Sequence, residues 1–391
     1  MTSLSLEHLD KIYNPGKKHA VHAVQDLSLY AESGQIVALL GSSGCGKTST
    51  LRMIAGFESI TSGEVKLGDH RLNSLAPAKR EVAMAFEGYA LYPPLSVYDN
   101  IAFAIRGQKG ISNDEVRQQV EYIAKLLEVD NILNRKPLGL SGGQAQRVSL
   151  CRALLRNPGV YLLDEPMSQL EPRLRARLRV RVKEYLVNRG VTTVFVTHDQ
   201  TEAMALADRV AVMEGGVLQQ YGSPFELESR PNNLFVGSFI GEPPMNILEA
   251  RVVSVDDGVD LEVSSDDQSD QFGFTLPESF LTEQMKQELT IGRELKLGLR
   301  AHYMTFCETD DVAALPVAVI TNQWLGDQAH LAIKVAGRQL ICVTEQPVDL
   351  AEGDHAHVRL PHEHLHIFDT QTTNAMFHGN LAHGTSEKAV A

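Results

Sequence analysis

The chain has 391 residues, 43% of them hydrophobic and 22% charged, a globular composition that excludes wholesale disorder and leaves room for two or three domains. Its 36 Lys+Arg against 49 Asp+Glu give a net charge of −13. Residues 237–391 hold 9 against 24, a net −15, which leaves 27 against 25, a net +2, for residues 1–236; so acidic a C-terminal part repels phosphate backbones and excludes nucleic acid as its partner.

No run reaches the roughly 18 apolar residues of a membrane helix. The opening MTSLSLEHLDKIY carries charges where a signal peptide needs an apolar stretch. Cys45, Cys151, Cys307 and Cys342 are too scattered for a disulfide framework or a zinc site. A soluble, cytoplasmic protein is expected.

In chain order, Gln35–Leu40 reads as a strand and Thr48–Ala55 as a helix. Asn113 is expected to cap a helix over about 114–128, where Val116, Val120, Ile123 and Leu127 recur at helical spacing. Gln146–Leu155 reads as a helix, and Val160–Leu163 and Val191–Thr197 as buried strands ending in polar residues. Arg209–Val212 and Val217–Tyr221 flank a glycine turn. This alternation predicts an α/β sheet over residues 1–236. Beyond it, Ala250–Val255, Glu294–Leu299, Val317–Ile320, Ala329–Val335, Gln339–Val343, His355–Leu360 and His364–Phe368 alternate as short strands. An all-β domain is expected over 237–370, with an unordered tail over 371–391.

Gly41-Ser-Ser-Gly-Cys-Gly-Lys-Thr48 follows a strand and precedes a helix, the context in which G-x-x-x-x-G-K-T binds phosphate. Backbone N–H groups turn inward and the helix N-terminus adds positive charge. Lys47 is placed for the β- and γ-phosphates and Thr48 for Mg²⁺. Tyr161-Leu-Leu-Asp-Glu-Pro166 ends a buried strand in Asp164, placed to hold Mg²⁺ through water or directly, and Glu165, which can polarise an attacking water. Leu140-Ser-Gly-Gly-Gln144 opens a helix and is itself an anion site. A chain with one phosphate loop has no need of it for its own nucleotide, so it is expected to cap the γ-phosphate held by a second copy.

With GSSGCGKT, LSGGQ, YLLDEP and Val196-Thr-His198-Asp in this order, the chain resembles the ATPase subunit of an ATP-binding-cassette (ABC) transporter. Tyr89-Ala-Leu-Tyr-Pro93, Thr197-His-Asp-Gln-Thr-Glu-Ala203, Phe235–Gly241, Met245-Asn246 and Leu365–Asp369 extend the likeness to the maltose-importer and glycerol-phosphate-importer branch. The resemblance implies a P-loop ATPase domain over 1–236 with a helical subdomain at about 88–157. The β domain then becomes an oligonucleotide-binding-like, TOBE-type barrel used for dimer contacts and regulation. It implies a homodimer with two composite ATP sites that energises uptake of a sugar, polyol, glycoside or glycerophosphate from the cytoplasmic face of the membrane. Two permease subunits would dock near Tyr89–Leu95, and an extracytoplasmic solute-binding protein would act indirectly. A soluble ABC ATPase of repair or translation is the alternative; this chain has neither the second cassette nor the coiled-coil insertion usual there.

Carried over by position, Tyr13 stacks on adenine. Gly41, Ser42, Ser43, Gly44, Cys45, Gly46, Lys47, Thr48, Ser49 and Glu87 bind the nucleotide, and Ser141, Gly142, Gly143 and Gln144 complete the partner's site. Thr48, Glu87 and Asp164 hold Mg²⁺; Glu165, His198 and Lys47 are catalytic. Two positions depart from the family. Glu87 stands where it has glutamine, which adds a negative charge near the γ-phosphate and is expected to alter metal affinity and rate. In Ser168-Gln-Leu-Glu171, Glu171 replaces an aspartate, a change expected to be tolerated as Pro172 starts the next helix.

The alternating arginines of Arg173–Val182 are expected on a solvated helix, since no aromatic residues interleave to stack on bases. His362, His364 and His366 are read as one strand face, a weak candidate metal site.

Overall fold

The computed structural model describes residues 2–107, 109–264, 271–307 and 314–379. The chain divides into two compact units, Met1–Pro224 and Phe225–Ala391.

The first unit is built on one sheet in the order β5-β4-β1-β2-β10-β9-β3-β8-β7-β6. These are β1 (Leu4–Tyr13), β2 (Val21–Ala31), β3 (Ile36–Gly41), β4 (Ser62–Leu67), β5 (His70–Arg71), β6 (Val82–Ala85), β7 (Val160–Asp164), β8 (Thr192–Thr197), β9 (Arg209–Glu214) and β10 (Val217–Gly222). Strands β6, β7, β8, β3 and β9 run parallel. Every residue of β3, β7 and β8 is buried, as sequences such as IVALLG and TTVFVT require of strands covered on both faces. The β1–β2 and β1–β4 pairs are antiparallel, and β2 meets β10 through Val217 and Gln25.

Among the described residues six α-helices complete the unit: α1 (Lys47–Ala55), α2 (Val97–Ala102), α3 (Asn113–Leu126), α4 (Gly142–Leu154), α5 (Pro172–Arg189) and α6 (Gln200–Leu206). Helix α3 is capped by Ser112, not Asn113: the Ser112 hydroxyl accepts from the Glu115 amide while the Glu115 carboxylate accepts from the Ser112 amide. Helix α4 likewise begins at Gly142, earlier than its apolar periodicity implies, because Ser141 and Gln144 form the same reciprocal cap. Helix α5 carries the arginines; Arg177 and Arg181 reach Glu128, and Pro172 takes the first helical position as expected.

The second unit opens with helices α7 (Pro224–Ser229) and α8 (Leu234–Phe239). The buried Arg300 guanidinium donates to the carbonyls of Glu228, Gly237 and Ile240 and so holds both helices to this unit. Its strands form two antiparallel sheets. One has the order β13-β12-β11-β14-β20-β21, from β11 (Asn246–Ser254), β12 (Gly258–Ser264), β13 (Gln271–Pro277), β14 (Glu294–Leu299), β20 (His366–Asp369) and β21 (Ala375–His378). The other has β15-β19-β16-β17-β18, from β15 (Thr305–Cys307), β16 (Ala314–Trp324), β17 (Ala329–Val335), β18 (Arg338–Thr344) and β19 (His355–Arg359). Val252, Leu261, Leu276, Leu295, Leu331, Ile333 and their neighbours fill the core between inward faces. The short helix α9 (Glu283–Glu288) lies between β13 and β14.

The expectation of an unordered tail is corrected over its first part: Ala375–His378 pairs with β20, the Thr373 and Ala375 amides bonding to Asp369 and Asn232. Residues 380–391 of that tail lie outside those described. The histidine reading is also corrected. His362 and His364 sit on a short 3₁₀ turn and only His366 on a strand. His362 bonds the Thr275 carbonyl, His364 stacks on Tyr303 and His366 faces His378. Among the described residues no group of three or more histidine, cysteine, aspartate and glutamate side chains could hold a metal ion.

Candidate functional site

Three adjacent parallel strands deliver the site from their C-terminal ends, where open α/β sheets place their ligands. Strand β3 ends in Gly41 and runs through residues 42–46 into α1. Gly46 sits at φ 100, and a Cβ there would lie 2.3 Å from the Ala23 carbonyl oxygen, so only glycine fits. The Lys47 ammonium donates to the carbonyls of Gly41 and Ser42, each at 2.8 Å, and curls the loop around itself. Cys45 is buried, its sulfur 3.6 Å from the same ammonium.

Strand β7 delivers Asp164, whose carboxylate accepts from the Thr48 hydroxyl at 3.2 Å. Asp164 is buried, and that burial, reinforced by the charges of Glu87 and Glu165, pushes its carboxyl above the usual range; the Thr48 bond partly opposes this. Among the described residues no lysine or arginine forms an ion pair with Asp164 or Glu87. Asp164 beside the Thr48 hydroxyl, with Glu87 near enough for its charge to act on Asp164 and Arg52 opposing it, offers hard-oxygen donors that fit Mg²⁺.

Glu165 follows at φ 45, a left-handed backbone rare for a residue with a side chain. Its carboxylate lies 3.2 Å from Nδ1 of His198, which follows the end of β8. The turn after β8 is laced together: the Asp199 amide donates to the Thr197 hydroxyl, Thr197 donates to Glu202, and Asp199 caps α6 by accepting from the Glu202 amide. Arg175 pairs with Asp199 at 2.7 Å and donates to the carbonyls of Ser168 and Leu170. Arg175, Glu202 and Gln146 escape a motif reading because each braces the site through its neighbours; Glu202 stands inside a quoted motif, and Gln146 only two residues past LSGGQ.

Tyr13 connects to the loop through its hydroxyl, 3.1 Å from the Ser49 oxygen, and Lys11 lies over its ring, 4.6 Å from the centroid. Ser141 and Gln144 spend their side chains on the α4 cap. Among the described residues no hydrogen bond joins Ser141–Gln144 to the loop of 41–48.

Residues 24–168 match the ABC transporter family and residues 297–368 match the TOBE domain. The xylose/arabinose import ATP-binding protein of Haloferax volcanii is 39% identical, over 96% of each chain. The chain belongs to the ABC transporter ATP-binding family. The trehalose/maltose import ATP-binding protein of Thermococcus litoralis is 40% identical over 91% of this chain and 96% of its own. The sn-glycerol-3-phosphate import ATP-binding protein of Cupriavidus metallidurans is 37% identical over 95% and 98%. A dimeric ATP-binding cassette solved in a post-hydrolysis state with ADP and Pi is 28% identical, with a TM-score of 0.53 over 56% of this chain and 98% of its own.

This ABC ATPase thus joins a nucleotide-binding α/β unit to an all-β TOBE unit. Among the described residues no helix is long and apolar enough to cross a membrane. Beside Tyr89–Leu95 lies a groove of about 370 Å³ lined by Met84, Phe86, Tyr92, Phe103, Arg152 and Arg156. Arg152 holds its rim, donating to the carbonyls of Tyr89 and Ala90. Both residues have positive φ, so the segment keeps an unusual shape rather than relaxing into a helix.

Proposed function

We propose that this chain is the ATP-hydrolysing subunit of an importer for a sugar or a related polyol, glycoside or glycerophosphate, working as a homodimer. The observation that carries this is the convergence of Lys47, Thr48, Asp164, Glu165 and His198 at the ends of β3, β7 and β8, while Ser141–Gln144 of the same chain opens a separate helix. Each ATP is held between residues 41–49 of one copy, with Tyr13 against adenine, and Ser141–Gln144 of the other.

Thr48, Asp164 and Glu87 would hold Mg²⁺ with the phosphates; the ion supplies charge neutralisation when bound. Lys47 holds the β- and γ-phosphates. Glu165 takes a proton from the attacking water as the γ-phosphoryl group passes to that water's oxygen, and ADP leaves. His198 steadies the transferring group, oriented by its contact with Glu165. Positioning and charge stabilisation do most of the work in such a transfer.

Dimer closure would drive two permease subunits seated in the aromatic groove beside Tyr89–Leu95, with the subunit peripheral to the cytoplasmic face. The relatives' names support the importer reading. The acidic TOBE unit serves dimer contacts and regulation.

The test is ATPase activity of the purified chain, alone and reconstituted with candidate permeases and binding proteins loaded with sugars, polyols or glycerophosphate. Stimulation by one loaded binding protein is expected and names the solute. High activity that no permease or solute alters would overturn the importer reading in favour of a soluble ABC ATPase. Replacing Glu165 by glutamine is expected to slow hydrolysis about 100-fold or more and to trap an ATP-bound dimer.

A further inference from the structure

Gln146 lies in the early turns of α4 and is 3% exposed. Its side-chain nitrogen donates to the Glu165 carbonyl at 2.7 Å and to the Ser168 hydroxyl at 3.1 Å. Its side-chain oxygen accepts from the Gln169 amide at 3.0 Å. Both N–H groups and the oxygen are therefore spent on a single five-residue segment, the one that begins with Glu165. Backbone contact reinforces the join: a Cβ on Gly143 would come within 2.9 Å of the Gln169 carbonyl oxygen.

That segment needs holding. Glu165 has φ 45, a conformation that costs an L-residue on the order of 1–2 kcal/mol and persists only where its surroundings impose it. Beside the bonds its carbonyl accepts from the Ser168 amide and hydroxyl within the segment, two bonds tie it to other elements. The Glu165 amide donates to the Val196 carbonyl at 3.0 Å, which ties it to β8, and its carbonyl accepts from Gln146, which ties it to α4. A buried amide with every bond made to one neighbour fixes that neighbour in direction as well as distance.

We propose that Gln146 is a positioning residue for hydrolysis: it sets the Glu165 backbone from α4, so that the helix opened by Ser141 and this copy's own Glu165 move as one body. The proposal rests on reading Glu165 as the base and Ser141–Gln144 as the contact to the other copy's nucleotide. Gln146 touches neither water nor phosphate. Its effect is that a helix seated on the second copy's γ-phosphate also aligns the carboxylate at this copy's site.

The test separates dimerisation from hydrolysis in the full chain. Gln146→Ala removes all three bonds. Gln146→Glu keeps the shape and the acceptor for the Gln169 amide but loses both donors, and it serves if the alanine variant does not fold. ATP-dependent dimerisation is followed by size-exclusion chromatography with light scattering, hydrolysis by phosphate release, and folding by the thermal midpoint. The expected result is a folded variant that dimerises at ATP concentrations within about threefold of the parent yet hydrolyses at least tenfold more slowly, with the loss in kcat and not in KM. Unchanged hydrolysis would overturn the proposal. So would loss of dimerisation and hydrolysis together in a folded variant, which would make Gln146 merely a support for α4. If the parent chain itself neither dimerises on ATP nor hydrolyses it, the functional reading fails first, and the two failures are told apart.

Discussion

Glu87 and Asp164 concentrate charge where the nucleotide's metal would sit, and each changes what the other does. Asp164 is held above the ordinary carboxylate range by burial, then by the charges of Glu87 and Glu165. Glu87→Gln removes one of those charges, so the Asp164 carboxyl falls and the acid limb of the ATPase profile moves to lower pH. It also removes a carboxylate worth about 1 kcal/mol to a nearby cation in water, so half-saturating Mg²⁺ should rise about fivefold. A magnesium titration at two pH values reads both; if neither moves, Glu87 is not part of the metal site. Glu202 makes a different point. Its carboxyl is buried, mainly by desolvation pushed up to about 7, with Asp199 adding to the shift and Thr197, Arg175 and Arg179 opposing it. A folded pKa above the unfolded one means stability fully present below about pH 4.5 that is lost as pH rises through 7, roughly 3 kcal/mol in all. Glu202→Gln should flatten that slope between pH 4.5 and 7.5 in calorimetric midpoints, while the parent keeps it.

Helix α3 depends on its first turn. The Ser112 and Glu115 cap satisfies amides that α3 cannot pair internally, so Ser112→Ala should cost about 1 kcal/mol in urea unfolding. A loss below a few tenths would assign α3's stability to its buried Val116, Val120 and Ile123 alone. Elements of this kind differ in how openly the sequence declares them. Strands β3, β7 and β8 are legible because both faces are buried and every position must be apolar or small. Strand β1 is not: Leu4, Leu6 and Leu9 all point inward, but register shifts around Glu7 and His8, the latter at φ 49, break the two-residue alternation. The apolar pattern of α4 begins only at Gln146, past Gly142 and Gly143, poor helix formers that its serine cap nevertheless recruits. Loop 41–48 and the Asp164-Glu165 pair were legible because their chemistry fixes spacing along the chain. The hold of Gln146 on Glu165 was not, since two residues 19 positions apart meet only through folding.

At the scale of the molecule, two units of different construction share one chain, a parallel-centred α/β unit and an acidic unit built mainly of antiparallel strands. In the second, β18 is the last strand of its sheet, and an end strand normally leaves a row of amides and carbonyls for any passing chain to copy. Here Asn246, which opens β11 of the other sheet, reaches across. Its side chain donates to the Ile341 carbonyl at 2.8 Å and accepts from the Ile341 amide at 2.9 Å. Asn246→Ala would leave that pair unmet, at a cost of about 1–3 kcal/mol, and prolonged incubation at 37 °C should give rising static light scattering that the parent does not show. A single carboxamide thus imitates a missing neighbour. Rising scattering in the variant alone would show that this one side chain keeps an end strand from recruiting a stranger's.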